Sequence, residues 1–348
     1  MSEIGSIDKN LKVETEIKKE GIKFYNALEE PFKIYGVFHN GERYVRMPEE
    51  ISKTVSNAVH MLSKNTAGGR VRFRTNSPYI AIHRKGEMGL MPHMPSTGSE
   101  GFDLYFGTRY IKTFIPPATL NADGYESIIE YGGSEMREVT INFPLYSNVR
   151  ELYIGLDENA VVEAPTAYKI EKPVVFYGSS ITQGGCASRP GTCYQAYVTR
   201  QFDCDHINLG FSGNAKAEVE MAEYVAGLDM STFVYDYDHN APTLSHLIET
   251  HERMYKIVRE KHPEIPIIMM SRPKLYLDAE EEQRVEIIKK TLDNAKAAGD
   301  KNIYFIDGRD LCKYCGNEGT VDGCHPTDFG FASMGMVLCE FIEENGLL

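Results

Sequence analysis

The spacing of the apolar residues changes near the middle of this 348-residue chain, and that change is the strongest constraint on its fold. Between about residues 31 and 157, apolar and polar side chains alternate in short runs, as in Val139, Ile141 and Phe143. Gly, Pro and Asn separate these runs, a pattern typical of antiparallel β-sandwiches. We therefore predict a jelly-roll-like sandwich as a first domain over residues 1–165.

The alternation breaks across residues 158–173, after which strand-like apolar runs alternate with helical patterns. The predicted strands cover residues 174–177, 233–237, 265–270 and 303–306. Thr243 is predicted to cap one helix, with Leu244, Leu247, Ile248, Tyr255 and Val258 on its apolar face. A second predicted helix covers residues 280–298 before Gly299. Alternating strands and helices indicate a parallel sheet with helices on both faces, a three-layer α/β/α domain over residues 166–348.

Composition excludes several classes of function. The 50 acidic and 37 basic residues give a net charge of −13, which argues against a nucleic-acid-binding protein because such proteins need clustered Lys and Arg. No apolar run approaches the roughly 18–20 residues of a membrane span. The charged N-terminal segment lacks the apolar region of a signal peptide, so we expect a cytoplasmic protein.

Cysteine usage agrees with that expectation. The seven cysteines are odd in number, unlike a secreted disulfide framework. Cys312 and Cys315 form a C-x-x-C pair without a second pair at zinc-ribbon spacing. We expect them to be buried or loop thiols, and we predict no metal site and no organic cofactor, since no nucleotide-binding motif is present either.

Polar residues collect in four loops at predicted strand ends or helix starts, where α/β domains place their chemistry. The loops contain Gly178-Ser-Ser180, Asn208-Leu-Gly-Phe-Ser-Gly213, Asp238-His-Asn240 and Asp322-Gly-Cys-His325-Pro326. Together they supply a hydroxyl, an imidazole, a carboxylate, a carboxamide and backbone amides, which is the set of groups that acyl transfer requires.

Each group has a specific task in that chemistry. The hydroxyl of Ser180 needs a base to become a nucleophile, and His325 can supply it. Asp322, three residues earlier, can orient the imidazole and stabilise its charged form. The candidate oxyanion donors are the Ser180 amide, the Gly213 amide and the Asn240 side chain.

The four loops, in this order, resemble the blocks of the SGNH (GDSL-type) hydrolases. The resemblance implies Ser180 as nucleophile, His325 and Asp322 as base and orienting carboxylate, and Gly213 and Asn240 in the oxyanion hole. The chain departs from the family pattern at Ser179, where Asp is usual, and in the third block, which reads Asp-His-Asn-Ala instead of Gly-x-Asn-Asp.

The first domain carries a second resemblance. Its segment Gly101-Phe-Asp-Leu-Tyr105 is similar to the Gly-x-Asp-Leu-Tyr signature of a sandwich that precedes some SGNH esterases. Two-domain chains of this kind resemble carbohydrate esterases that remove O-acetyl groups. The resemblance therefore implies a serine esterase acting on acetylated oligosaccharides or polysaccharides.

Two alternatives stay open at this point. The same residues could serve a lipid, aryl-ester or thioester hydrolase, or the chain could be a non-catalytic glycan-binding protein. The sequence leaves the oligomeric state open, although the faces of the sandwich are candidate surfaces for a homo-oligomer.

Several further residues are weaker candidates. Gln183, Arg189 and Arg272 are candidate sugar-binding residues, with structural pairing as the equal alternative. His239 adjoins Asn240 but lies in the wrong block for the base. Residues 47–62 are predicted to form one short helix or a loop, and the Pro- and Gly-rich segment 88–95 a surface loop, with reach over the cleft as its alternative.

Overall fold

The computed structural model describes residues 15–120 and 123–348. Its N-terminal part is built almost entirely of strands. In chain order these are β1 (Ile22–Asn26), β2 (Lys33–Tyr35), β3 (Phe38–His39), β4 (Tyr44–Val45), β5 (Arg70–Thr75), β6 (Tyr79–Lys85), β7 (Phe102–Phe106), β8 (Arg109–Phe114), β9 (Tyr125–Glu130), β10 (Arg137–Asn142), β11 (Glu151–Asp157) and β12 (Val162–Glu163).

These strands form the predicted sandwich. One antiparallel sheet has the order β1-β11-β6-β9; the other has the order β12-β5-β10-β7-β8, with β2 added beside β5. The alternating residues Val139, Ile141 and Phe143 are all buried in the core between the sheets. Every second side chain of a strand points to the same face, so the period-two pattern placed these residues in the core correctly.

Segment 47–62, predicted as one helix or a loop, contains two helices, α1 (Glu49–Val55) and α2 (Asn57–Leu62). They are separated by Ser56, whose backbone is extended and whose hydroxyl accepts the Val59 N–H at 3.1 Å. A serine that caps a new helix ends the preceding one. A third short helix, α3 (Ser96–Ser99), lies at the end of the Pro-rich loop.

The C-terminal part contains five parallel strands in the order β14-β13-β15-β16-β17. They are β13 (Ile170–Gly178), β14 (Cys204–Gly210), β15 (Thr232–Asp236), β16 (Ile267–Met270) and β17 (Ile303–Ile306). Strand β13 begins earlier than the sequence suggested, inside the predicted break. Its register with β14 shifts between Ile170 and Val174, an irregularity that accommodates Pro173 within a strand.

Helices cover both faces of this sheet. They are α4 (Ser180–Gln183), α5 (Tyr194–Phe202), α6 (Val219–Ala226), α7 (Leu244–Lys261), α8 (Ala279–Ala297), α9 (Gly308–Leu311) and α10 (Asp328–Asn345). Alternate strand residues pack in opposite directions: Tyr177 belongs to a core with α6, α7 and α8, and Phe176 to a core with α5 and α10. This is the three-layer α/β/α arrangement expected from the sequence.

The helix predictions were right in position and partly wrong in detail. Thr243 caps α7 by accepting the His246 N–H at 3.1 Å, as predicted. Ile248, predicted on the buried face, is 61% exposed, whereas Leu247 is fully buried. Adjacent positions lie about 100° apart on a helix, so only one of the two can point into the core. Among the described residues, no helix is both long and apolar enough to cross a membrane.

Two buried polar side chains, Arg46 and Asp103, join the sandwich to the C-terminal part of the chain. The Arg46 guanidinium donates to the carbonyl oxygens of Gly210, at 2.5 Å, and Asn208, at 3.2 Å, at the end of β14. On another side, Asp103 of the Gly-x-Asp-Leu-Tyr motif accepts hydrogen bonds from Arg189 and from the Gly191 N–H. Asp103 of this motif thus lies at the interface between the two halves of the chain. The predicted boundary after residue 165 falls between β12 and β13.

Candidate active site

The candidate nucleophile lies where the central strand β13 turns into α4. Gly178 ends the strand, and a Cβ at this position would lie 1.8 Å from the Asp236 carboxyl oxygen, so only glycine fits. Ser179, which replaces the usual Asp, caps α4 by accepting the Ile181 N–H at 3.1 Å. Ser180 is the first residue of α4 and is 8% exposed. The turn therefore holds the Ser180 hydroxyl at the carboxyl edge of the sheet.

The predicted triad residues form one chain of hydrogen bonds. Ser180 Oγ lies 2.9 Å from His325 Nε2, although 145 residues separate them. His325 Nδ1 lies 2.7 Å from the Asp322 carboxylate. The other Asp322 oxygen accepts the backbone N–H groups of Cys324 and His325, which fixes the loop before α10. The arrangement presents the imidazole between a hydroxyl and a carboxylate.

The ionisation of Asp322 suits an orienting role. Burial raises the pKa of this carboxyl, but the backbone and ring hydrogen bonds from His325 and the Cys324 N–H outweigh burial and lower the pKa to about 2. The carboxylate is therefore charged across the neutral range, and a charged acceptor holds the His325 Nδ1 proton in place.

The candidate oxyanion donors come from three neighbouring loops. Gly213 adopts a left-handed conformation with φ of 68°, and no atom lies within 4 Å of the position a Cβ would take. No acceptor within residues 15–120 or 123–348 receives its N–H. The Asn240 carboxamide oxygen accepts the Ala215 N–H at 3.2 Å, which leaves its NH2 group to donate elsewhere. The Ser180 N–H, at the start of α4, is the third predicted donor.

Of the three candidate sugar-binding residues, Gln183 is fully buried. Its NH2 group donates to Asn65 and Leu145, and its oxygen accepts the Ser212 N–H at 3.0 Å. Gln183 thus holds the loop that carries Gly213. These hydrogen bonds engage both polar atoms of the Gln183 side chain, so they do not favour its predicted contact with a sugar.

The two arginines are engaged in pairing. Arg189 binds Asp103 and the Tyr105 hydroxyl of the sandwich. Arg272 pairs with Glu281 and lies 3.0 Å from His239 Nδ1, so it is beside the Asn240 loop. Arg189 is thus held by the sandwich, whereas Arg272 contacts the residue next to Asn240. Substrate binding by either arginine remains a prediction.

Sequence reasoning missed three neighbours of the triad. The Tyr146 hydroxyl donates to the Ser180 carbonyl oxygen at 3.3 Å. His93, from the Pro-rich loop, has its ring centre 5.5 Å from that of His325. Cys186 is buried, and burial raises the pKa of its thiol to about 11. Segment 88–95 therefore reaches the cleft, although a surface loop was the favoured prediction. A histidine between two prolines was the one sequence feature that could have indicated a role for this loop near the site.

Two family models match the chain. The GDSL-like lipase/acylhydrolase family matches residues 171–343, and the GxDLY domain, the N-terminus of SGNH hydrolase-type esterases, matches residues 22–162. A putative GDSL-like lipase from Bacteroides ovatus is 30% identical, with a TM-score of 0.83 over 93% of this chain and 97% of that one. No curated protein sequence matches.

More distant structures share the fold. The salicylyl-acyltransferase SsfX3 from a tetracycline biosynthetic pathway is 19% identical, with a TM-score of 0.80 over 95% of this chain and 99% of that one. A family two carbohydrate esterase from Clostridium thermocellum, solved with cellohexaose, is 13% identical, with a TM-score of 0.60 over 82% and 94%. Residues 171–343 thus form a domain of the GDSL-like lipase/acylhydrolase class, and residues 22–162 form the β-sandwich that precedes it. The chain belongs to the GDSL-like lipase/acylhydrolase family, in its two-domain GxDLY form.

Proposed function

We propose that this protein is a serine esterase that hydrolyses short acyl esters, above all O-acetyl esters, on carbohydrates. The observation that carries the proposal is the continuous chain of contacts from Ser180 Oγ through His325 to Asp322, at 2.9 and 2.7 Å. A hydroxyl next to an imidazole that is held by a carboxylate is the arrangement that activates serine for acyl transfer.

The geometry supports a two-step reaction. His325 Nε2 takes the Ser180 proton as Oγ attacks the ester carbonyl carbon, and the oxyanion forms near the N–H groups of Ser180, Gly213 and Asn240. His325 then gives the proton to the departing sugar oxygen, leaving an acyl-serine. Water, deprotonated by His325, attacks the acyl group, and the acid leaves as Ser180 recovers its proton. The side chains named supply every proton transfer.

The carbohydrate part of the proposal is supported by carbohydrate esterases among the proteins that share the two-domain fold. The Gly-x-Asp-Leu-Tyr front domain supports an SGNH-type esterase and names no substrate. An aryl-ester, lipid or thioester hydrolase that uses the same residues is the second candidate, and SsfX3, whose name describes transfer of an aromatic acyl group, shares this fold over nearly the whole chain. A glycan-binding protein without activity is the third candidate, and the assembled triad disfavours it.

A substrate screen separates the candidates. Acetylated oligosaccharides and p-nitrophenyl esters of increasing chain length are incubated with the protein and with Ser180→Ala, and loss of acetyl signals is followed by NMR. Release of sugar acetyl groups by the unmodified protein alone supports the proposal. Turnover restricted to long-chain or aromatic esters supports the second candidate. Sugar binding without turnover of any ester contradicts both hydrolase candidates and supports the glycan-binding protein.

A further inference from the structure

Two side chains next to His325 that could bind a metal, His93 and Cys186, have no role in the proposed hydrolysis. His93 lies on the loop between β6 and α3, and Cys186 lies on the loop after α4. One potential ligand atom from each of His93, Cys186 and His325 falls within 4.8 Å of the others. Within the described residues, this is the one group of three or more His, Cys, Asp or Glu side chains that meets so closely.

The chemistry of these three groups selects one class of metal ion. Imidazole nitrogen and thiolate sulfur are ligands for Zn²⁺ and other thiophilic transition metals, whereas Mg²⁺ and Ca²⁺ take oxygen ligands. Bonds of about 2.0–2.3 Å to a tetrahedral ion place ligand atoms about 3.5 Å apart. Metal binding therefore requires the three atoms, now within 4.8 Å of one another, to approach by about 1 Å at most. His93 can supply this movement, because it is on an exposed loop outside any strand or helix.

The surroundings of the group also suit a metal. His325 already offers one ring nitrogen to the Asp322 carboxylate, and histidines that bind metals commonly make this contact with their second nitrogen. Cys186 is held against the same segment, because its backbone N–H donates to the Pro326 carbonyl oxygen at 3.0 Å. Two of the three ligands are thus fixed relative to each other.

We propose that His93, Cys186 and His325 form an inhibitory binding site for Zn²⁺ or a similar thiophilic divalent ion. As the metal binds, the Cys186 thiol releases its proton to solvent and a metal–sulfur bond forms. A fourth position is left for water. The thiolate and Asp322 together balance the charge of the ion.

Inhibition follows from the contacts of His325, and this step rests on the proposed function. Both ring nitrogens are engaged, Nε2 with Ser180 and Nδ1 with Asp322. A metal on Nε2 removes the base from the nucleophile, and a metal on Nδ1 removes the orienting carboxylate. In either case the imidazole can no longer take the Ser180 proton.

The test starts from metal-free protein titrated with Zn²⁺, with p-nitrophenyl acetate hydrolysis and calorimetric binding as readouts. One equivalent of Zn²⁺ should abolish turnover, and EDTA should restore it. His93→Asn and Cys186→Ser should keep the metal-free turnover and weaken Zn²⁺ binding by at least about 10-fold. Cys324→Ser is the matched control, since this neighbouring thiol is outside the group, and its Zn²⁺ affinity should stay unchanged.

The two proposals fail in different ways. Calorimetry on Ser180→Ala measures Zn²⁺ binding without any turnover. Binding that depends on His93 and Cys186, in a chain that hydrolyses no ester, supports the metal site and contradicts the esterase. Hydrolysis combined with no Zn²⁺ binding, with equal inhibition of all variants, or with activation by Zn²⁺ overturns the metal site. His93→Asn on its exposed loop keeps the test valid if Cys186→Ser does not fold.

Discussion

The Asp103 carboxylate of the sandwich accepts a hydrogen bond from the Arg189 guanidinium at 2.9 Å. The same oxygen accepts the Gly191 N–H at 2.8 Å, and the other oxygen accepts the Asn142 side chain at 2.7 Å. Asp103 is fully buried, so both oxygens of the Asp in the Gly-x-Asp-Leu-Tyr motif are held by hydrogen-bond partners from the protein. The motif's role in this chain is attachment of the sandwich to the hydrolase half.

Asp103→Ala should therefore destabilise the protein strongly. The substitution leaves the Arg189 cation without its partner and two donors unsatisfied at a buried interface, a loss of about 3 kcal/mol in the free energy of unfolding. Urea unfolding measures it. Glu151→Ala is the control, because its ion pair with Lys85 is exposed and should be worth less than about 1 kcal/mol. An equal loss of free energy of unfolding in the two variants would show that the buried Asp103 contacts stabilise the protein no more than an exposed ion pair does.

Adjacent serines at the β13–α4 turn should behave differently. Ser180→Ala should lower kcat by about 1,000-fold or more, because no other hydroxyl contacts His325 Nε2 in the described structure. Ser179→Ala should keep most of the turnover and lose about 1 kcal/mol of stability, the usual cost of a lost helix cap. Steady-state kinetics and thermal unfolding give both values. Reversed effects would move the nucleophile to Ser179.

Asn240→Ala tests the oxyanion hole. If the Asn240 NH2 group donates to the developing charge, kcat should fall by about 100- to 1,000-fold while KM changes little. Asn214→Ala is the matched control in the neighbouring loop, since the Asn214 side chain donates to the Ser212 carbonyl oxygen. A rise in KM alone would mean that Asn240 binds substrate without stabilising the transition state.

The buried carboxyl of Asp236 predicts a pH dependence of stability. Burial raises the pKa of Asp236 to about 8, with Thr182 and Tyr194 as its hydrogen-bond partners. The folded state therefore holds a proton that the unfolded state releases near pH 4. This contribution to stability is complete at low pH and is lost as pH rises to about 8, by up to about 1.4 kcal/mol per pH unit.

Asp236→Asn provides the comparison, because the carboxamide stays neutral. The free energy of unfolding of the variant minus that of the unmodified protein should grow from about pH 4 to pH 8 and level off above. Urea unfolding across this range measures the difference. A difference that is constant with pH would show that Asp236 is ionised in the folded protein.

The sequence predicted the fold class because a strand buried on one face has alternating apolar residues, whereas a strand buried on both faces has a continuous apolar run. It indicated that Ser180, His325 and Asp322 lie close together because the carboxyl ends of parallel strands and the starts of the helices that follow share one edge of the sheet. It could not reveal the partners of Gln183 or Arg189, since those depend on residues such as Asn65 and Asp103 that lie far away in the chain. It also missed the proximity of His93, because the path of a Pro-rich loop is set by packing and has no periodicity to indicate it.

Arg46 makes the C-terminal half of the chain depend on the N-terminal half. Its guanidinium comes from the front half and satisfies carbonyl oxygens at the end of β14, beside the loop that carries Gly213. A C-terminal half expressed without the sandwich would expose those carbonyl oxygens to solvent. It would also lose the Arg46 hydrogen bonds that support the loop carrying Gly213. A foreign module grafted in place of the sandwich would have to supply a cation at the same spot, which makes this front module difficult to exchange.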